Sequence, residues 1–194
     1  MKRRTEVLSD RTMRFFTPEL YIRFNSQEEG EADRADEDWE SALGKYRKHL
    51  DGIRTRMPSQ VRELSELCLH DGVWLSSVPM SVPSPAHADS DDRLPAWSVM
   101  AVLSVMHEGK IVSLVYQLWD KLVEHAQHRD WRFSPERIHW LYDEVDLAPN
   151  SKTQFVHRIL LSNGKVVEVP FQSVFLHVIP LSTIGEAEPA RQSA

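Results

Sequence analysis

The hydrophobic rhythm of this chain changes once, near Gly72, and that change limits the fold more than any other feature. Before it, apolar residues recur at spacings of three and four. After it they alternate, or run together in short stretches bounded by turn residues. Such a pattern places helices first and strands afterwards, so the sequence predicts an α+β fold. N-terminal helices should pack on one face of an antiparallel β-sheet meander of roughly five to seven strands. Residues 1–12 read as a disordered leader, 13–184 as a single α+β domain and 185–194 as a disordered tail.

Thr17-Pro18-Glu19 has the form of a helix start, with a hydroxyl cap, a proline at the first helical position and a carboxylate near the positive end of the dipole. That short helix runs to about Phe24. A longer one follows, with Ala35, Trp39, Ala42, Tyr46, Leu50 and Ile53 on one face. Residues 28–40 hold eight acids against one arginine, and Lys45, Arg47, Lys48, Arg54 and Arg56 lie towards the other end, as the macrodipole favours. Gly44 interrupts the pattern, which suggests close packing there. Pro58-Ser59 opens a third helix that buries Val61, Leu64, Leu67 and Cys68 and stops near His70-Asp71-Gly72.

The strand region begins with Val73–Val82, interrupted at Pro79 as an edge strand or a bulge would be. A proline-rich acidic loop, 83–96, leads into a hairpin of Trp97–Met106 and Ile111–Leu118 turning at Glu108-Gly109. Both runs are rich in Val, Leu and Met, so both of their faces should be at least partly covered. Leu118, Leu122 and His125 have helical spacing, which predicts a short helix over 119–128. The meander continues through Ile138–Leu147, Phe155–Leu161, a type I′ turn at Asn163-Gly164, Val166–Phe171 and, after a bend at Pro170, Val174–Ile179.

Composition excludes more than it selects. Hydrophobic residues at 41% and charged residues at 27% suit a globular protein, and the net charge of −6 disfavours nucleic acid. No run of apolar residues is long enough for a spanning helix, so no membrane association is expected. A single cysteine, Cys68, rules out an intramolecular disulfide and points to the cytoplasm. No nucleophile elbow or phosphate-binding glycine loop is present, and Cys68 reads as a small buried hydrophobe rather than a nucleophile.

Nine histidines invite a search for metal ligands, yet none has zinc-site spacing, and neither metal nor cofactor is expected. His125 and His128 could share a helix face without an acid to complete a set. The main candidate cluster is Tyr142, Asp143, Glu144, His157 and His139. Alternation puts His139 and Asp143 on one face and Tyr142 and Glu144 on the other. A loop centred near Asn150 would set Glu144 opposite His157 and Tyr142 opposite Ile159. A carboxylate beside an imidazole can tune a general base, and it is also an ordinary cross-strand contact. His70 and Asp71 are secondary candidates.

The segments RFFTPELY, LCLHD, WLYDEV and FVHRILLSNGKVVEVPF together resemble an uncharacterised bacterial domain-of-unknown-function family over roughly Met13 to Leu181. The resemblance implies a bacterial cytosolic α+β protein and no activity. It singles out Tyr21, His70, Asp71, Tyr142, Asp143, Glu144 and His157.

Three functions are therefore expected from different classes, the third being a self-associating scaffold joined through an exposed edge strand or an apolar sheet face. The first is a non-catalytic module binding a protein partner or small ligand through its sheet or the 83–96 loop, as monomer or homodimer. The second is a metal-assisted hydrolase-like enzyme built on Glu144, His157, His139 and Asp143, which requires at least three of those side chains to converge.

Overall fold

The computed structural model describes residues 13–83 and 97–181. The expected leader, the tail and loop residues 84–96 lie outside them. Three α-helices come first: α1 (Pro18–Phe24), α2 (Glu29–Ile53) and α3 (Ser59–Glu66). Seven strands follow: β1 (Val73–Pro83), β2 (Trp97–His107), β3 (Lys110–Leu118), β4 (Val123–His125), β5 (Trp140–Leu147), β6 (Phe155–Leu161) and β7 (Val166–Pro180). The fold is α+β with a wholly antiparallel sheet in the order β1-β2-β3-β7-β6-β5, and β4 pairs beside β7.

α1 starts where its cap demands, since Thr17 Oγ1 accepts from the Leu20 N–H at 3.2 Å. α2 buries Ala35, Ala42, Tyr46 and Ile53 along the expected stripe. Gly44, however, has nothing within 4 Å of a notional Cβ, so its place in α2 does not come from close packing. α3 ends at Glu66, earlier than the pattern suggests, and the next residues are extended. Cys68 is consequently exposed, and Leu69 takes the buried position. The left-handed residue is Asp71, with φ 63°, whereas Gly72 is needed for closeness: a Cβ there would lie 2.5 Å from Val105.

The strands correct the sequence in three places. β1 is continuous through Pro79, and its irregularity falls at Leu75. Residues 119–128 form no helix; Val123–His125 is a strand, because β7 offers an unpaired edge beside Val166–Glu168. β7 runs unbroken past Pro170, and an extra residue at Gln172 shifts its register against β3. The Asn163-Gly164 turn is also not type I′, since only Gly164 has positive φ (76°). It fits the longer hairpin loop closed by a left-handed glycine, while Glu108 and Gly109, at 48° and 72°, form the primed turn.

The sheet curls until its ends meet. Val73 bridges to His139, Trp74 N–H donates to the Ile138 carbonyl and Trp140 N–H to the Gly72 carbonyl, both at 2.8 Å. The inner face of this curl holds the main core, including Leu103, Leu114, Phe155, Ile159, Val169 and Phe171, plugged by Ile53, Met57, Val61 and Leu64. Fully burying each such side chain stabilises the fold by roughly 1.5–3 kcal/mol. A second core lies outside β5, β6 and the start of β7, where Met13, Phe16 and Tyr46 cover Leu141, Leu160 and Val166. The helices thus wrap the β5 edge and touch both faces, rather than one. Tyr46 marks the wrap: its hydroxyl accepts from the Val145 N–H at 2.8 Å, satisfying a donor on that edge strand.

Candidate functional site

The cluster read from sequence divides into three separate places. The cause is a bulge between Trp140 and Tyr142, combined with a register one residue away from expectation. Glu144 faces Arg158 and Val145 faces His157, while Tyr142 faces Leu160. The bulge also turns Trp140 onto the same face as Asp143, contrary to simple alternation.

On the inner face, Asp143 and His157 join a relay that crosses the core. Asp143 Oδ1 accepts from Trp140 Nε1–H at 2.9 Å, and its Oδ2 lies 3.0 Å from His157 Nε2. His157 Nδ1 lies 2.8 Å from the Tyr116 hydroxyl. His157 and Tyr116 are fully buried, and the Asp143 side chain is 17% exposed. Burial first, and Asp143 second, push the Tyr116 phenol well above its usual range, so it holds its proton. The Tyr116 hydroxyl and the Asp143 carboxylate thus each occupy one ring nitrogen of His157. Both imidazole nitrogens are then engaged, and no lone pair remains for a substrate. Tyr116 escaped the sequence reading, although a tyrosine in the inward row with Val112 and Leu114 needs a buried partner.

Glu144 points the other way, beneath the N-terminal segment, where it is 1% exposed and accepts from the backbone N–H groups of Arg14 and Phe15. Burial pushes its carboxyl up to about 7, against the opposing pull of those two donors and of Arg158. Next to it, Asp146 pairs with Arg14 at 3.7 Å. His49 Nε2 approaches Asp146 to 2.9 Å but lacks hydrogen-bond alignment, so the contact is an ion-pair distance and no more.

The third place lies at the surface end of β5. His139 Nδ1 is 3.1 Å from the Asp71 carbonyl, and the Tyr142 hydroxyl is 3.5 Å from His70 Nε2. Tyr142 sits against Trp39, with ring centroids 4.3 Å apart, and against Phe16 and Tyr21. Burial, then Tyr21, Asp71 and Cys68, push it up to about 12. Of Glu144, His157, His139 and Asp143, only Asp143 and His157 meet. His125 and His128, expected on a helix, instead line a 470 Å³ cleft with Glu19, to which His128 pairs at 3.0 Å. Among the described residues no three His, Cys, Asp or Glu side chains gather as a metal would require.

A different feature is larger than any of these. Outside β1, β2, β3 and the second half of β7, the register aligns four rungs of four residues. They are Val73–Met106–Ile111–Ile179, Ser76–Ser104–Ser113–His177, Val78–Val102–Val115–Phe175 and Met80–Met100–Gln117–Ser173. Hydroxyls within a rung touch, as Ser104 and Ser113 do at 3.3 Å, confirming a shared face. None of the sixteen is Asp, Glu, Lys or Arg, in a chain that is 27% charged. Phe175 is 50% exposed, Val78 47% and Ile179 45%. The sequence predicts both faces of this hairpin to be partly covered; the inner one is filled by the core, and the outer one is half-buried along β2 and β3 and exposed at Val78, Phe175 and Ile179. No helix among the described residues is long and apolar enough to cross a membrane. No family model, curated protein or solved structure matches the chain.

Proposed function

We propose that this chain is a non-catalytic interaction module of the cytoplasm, and that its working surface is the uncharged outer face of β1, β2, β3 and β7. The single observation that carries the reading is the set of four rungs without a formal charge. Exposed sheets normally carry charged side chains on the solvent side, both for solubility and to discourage association. Ten of the sixteen side chains are apolar, and apolar surface grouped in this way marks an interaction site more often than scattered exposed residues do. The face is the outer side of a curled sheet rather than a concavity, which favours a protein partner over a small ligand.

The enzyme reading loses support on geometry. A general base needs a free nitrogen within reach of a substrate, and both nitrogens of His157 are committed to Tyr116 and Asp143. The relay is better read as a satisfied buried network that fixes β3, β5 and β6 relative to one another.

Methionine oxidation tests the proposal, because Met80, Met100 and Met106 all lie on the face. Treated with peroxide in living cells, they should oxidise several-fold more slowly than in dilute purified protein. Equal rates in the two settings would mean that nothing occupies the face, and the module reading would fall.

A further inference from the structure

Resting on that reading, we infer that the occupant of the face is a second copy of this chain, packed sheet against sheet about a two-fold axis. Three observations select it. The first is chemistry. The serine rung, Ser76–Ser104–Ser113–His177, lies between two apolar rungs. A two-fold axis on the serine rung lays that row on itself and each apolar row on the other, so one surface is its own complement. A partner with a charged contact surface would leave its charges buried and unpaired against these rungs.

The second observation is size. Strands about 4.8 Å apart, with a rise of about 3.3 Å per residue, give four strands of about eight residues a plan area near 500 Å². The two faces together thus offer at most about 1,000 Å², the lower end of the interface range, which suits a reversible dimer that forms as concentration rises. Two such faces stack at about 10 Å in an aligned sandwich.

The third observation excludes the other way in which two sheets join. Beyond Trp74, where β1 is joined to Ile138 and His139, its edge is open, but Pro79 and Pro83 lack the N–H groups that edge pairing needs, and Leu75 is bulged out of register. Edge-to-edge extension is blocked over most of β1 and face-to-face contact is not.

Sedimentation velocity and native mass spectrometry of the purified chain, over a wide concentration series, test this. Wild type should show twice the chain mass as concentration rises. Phe175→Glu and Val115→Glu should each raise the dimer dissociation constant by about a hundredfold or more, with unchanged circular dichroism. Phe175 is half exposed, so its substitution leaves the protomer folded. As a measurement free of variants, oxidation of Met80, Met100 and Met106 in wild type should slow as concentration rises. A monomer at every concentration overturns the inference, and so does a dimer indifferent to both substitutions. If the purified chain is monomeric while its methionines are protected in cells, the partner is another protein and the module reading survives. If they are unprotected as well, both readings fail.

Discussion

At the scale of single residues, Glu144 and the His157 relay do opposite work. Glu144 is held in its place by two backbone donors but remains costly to ionise, its carboxyl pushed up to about 7 by burial. Its folded value lies above its unfolded one, so the native state keeps a proton that the unfolded chain has already lost. Its contribution to stability is full below the unfolded value and is lost as pH rises through about 7. The span corresponds to about 3 kcal/mol. Asp146 adds to this effect and Arg158 opposes it. Glu144→Gln removes the titration, so urea unfolding at pH 5 and pH 8.5 should find the gap between wild type and variant shrinking at the higher pH. A gap independent of pH would show that burial does not perturb Glu144. In the relay, by contrast, every atom is paired, and the cost comes from breaking it. Tyr116→Phe strands one nitrogen and should cost about 1–3 kcal/mol. His157→Leu leaves the Tyr116 hydroxyl and Asp143 Oδ2 without their partner, so it should cost more; the reverse order in urea midpoints would mean the relay does not hold the core.

At the scale of elements, Tyr46 and Gly164 carry joints that no helix or strand provides alone. Tyr46 links α2 to the β5 edge through the Val145 N–H. Tyr46→Phe should cost about 1 kcal/mol and speed amide exchange at Val145 ahead of its neighbours on β6. Gly164 combines a left-handed φ with the Trp131 ring, which a Cβ would meet at 2.4 Å. Gly164→Ala should therefore lower the melting temperature by several degrees, whereas Gly44→Ala, with open space and a helical backbone, should raise it. Equal shifts at the two positions would contradict the difference in their surroundings. These elements also show what the chain makes legible. α1, α2 and the β2–β3 hairpin are local, set by caps, charge order and a primed turn, and they fall where the pattern puts them. β4 was lost because its spacing suits a helix in isolation, and only the free side of β7 makes it a strand. Asp143 and His157 fall in one candidate cluster in the sequence, but the pattern pairs His157 with Glu144 and sets Asp143 on the other face, since a bulge at Leu141 leaves no mark on alternation until the opposite strand is in place.

At the scale of the whole molecule, the curl of the sheet divides its outer surface into two unlike halves. Beside β5 and β6, the N-terminal segment and α2 cover the outside and supply the second core. Beside β1, β2 and β3, the four uncharged rungs lie open among the described residues. Two copies meeting on that open half would complete for each other the layer that the helices complete on the covered half. Stability would then include association, because the native state is dimeric and the unfolded chain is not. For two chains unfolding together, a tenfold rise in concentration adds about 1.4 kcal/mol per dimer, or about half of that per chain. In a protein of this size, the corresponding rise in melting temperature is about 1–3 °C per tenfold. Calorimetry over a hundredfold concentration range should show that drift in wild type and a constant, lower value in Phe175→Glu. A wild-type melting temperature that stays fixed across the range would separate folding from association, and the open face would then have to be explained by a partner other than the chain itself.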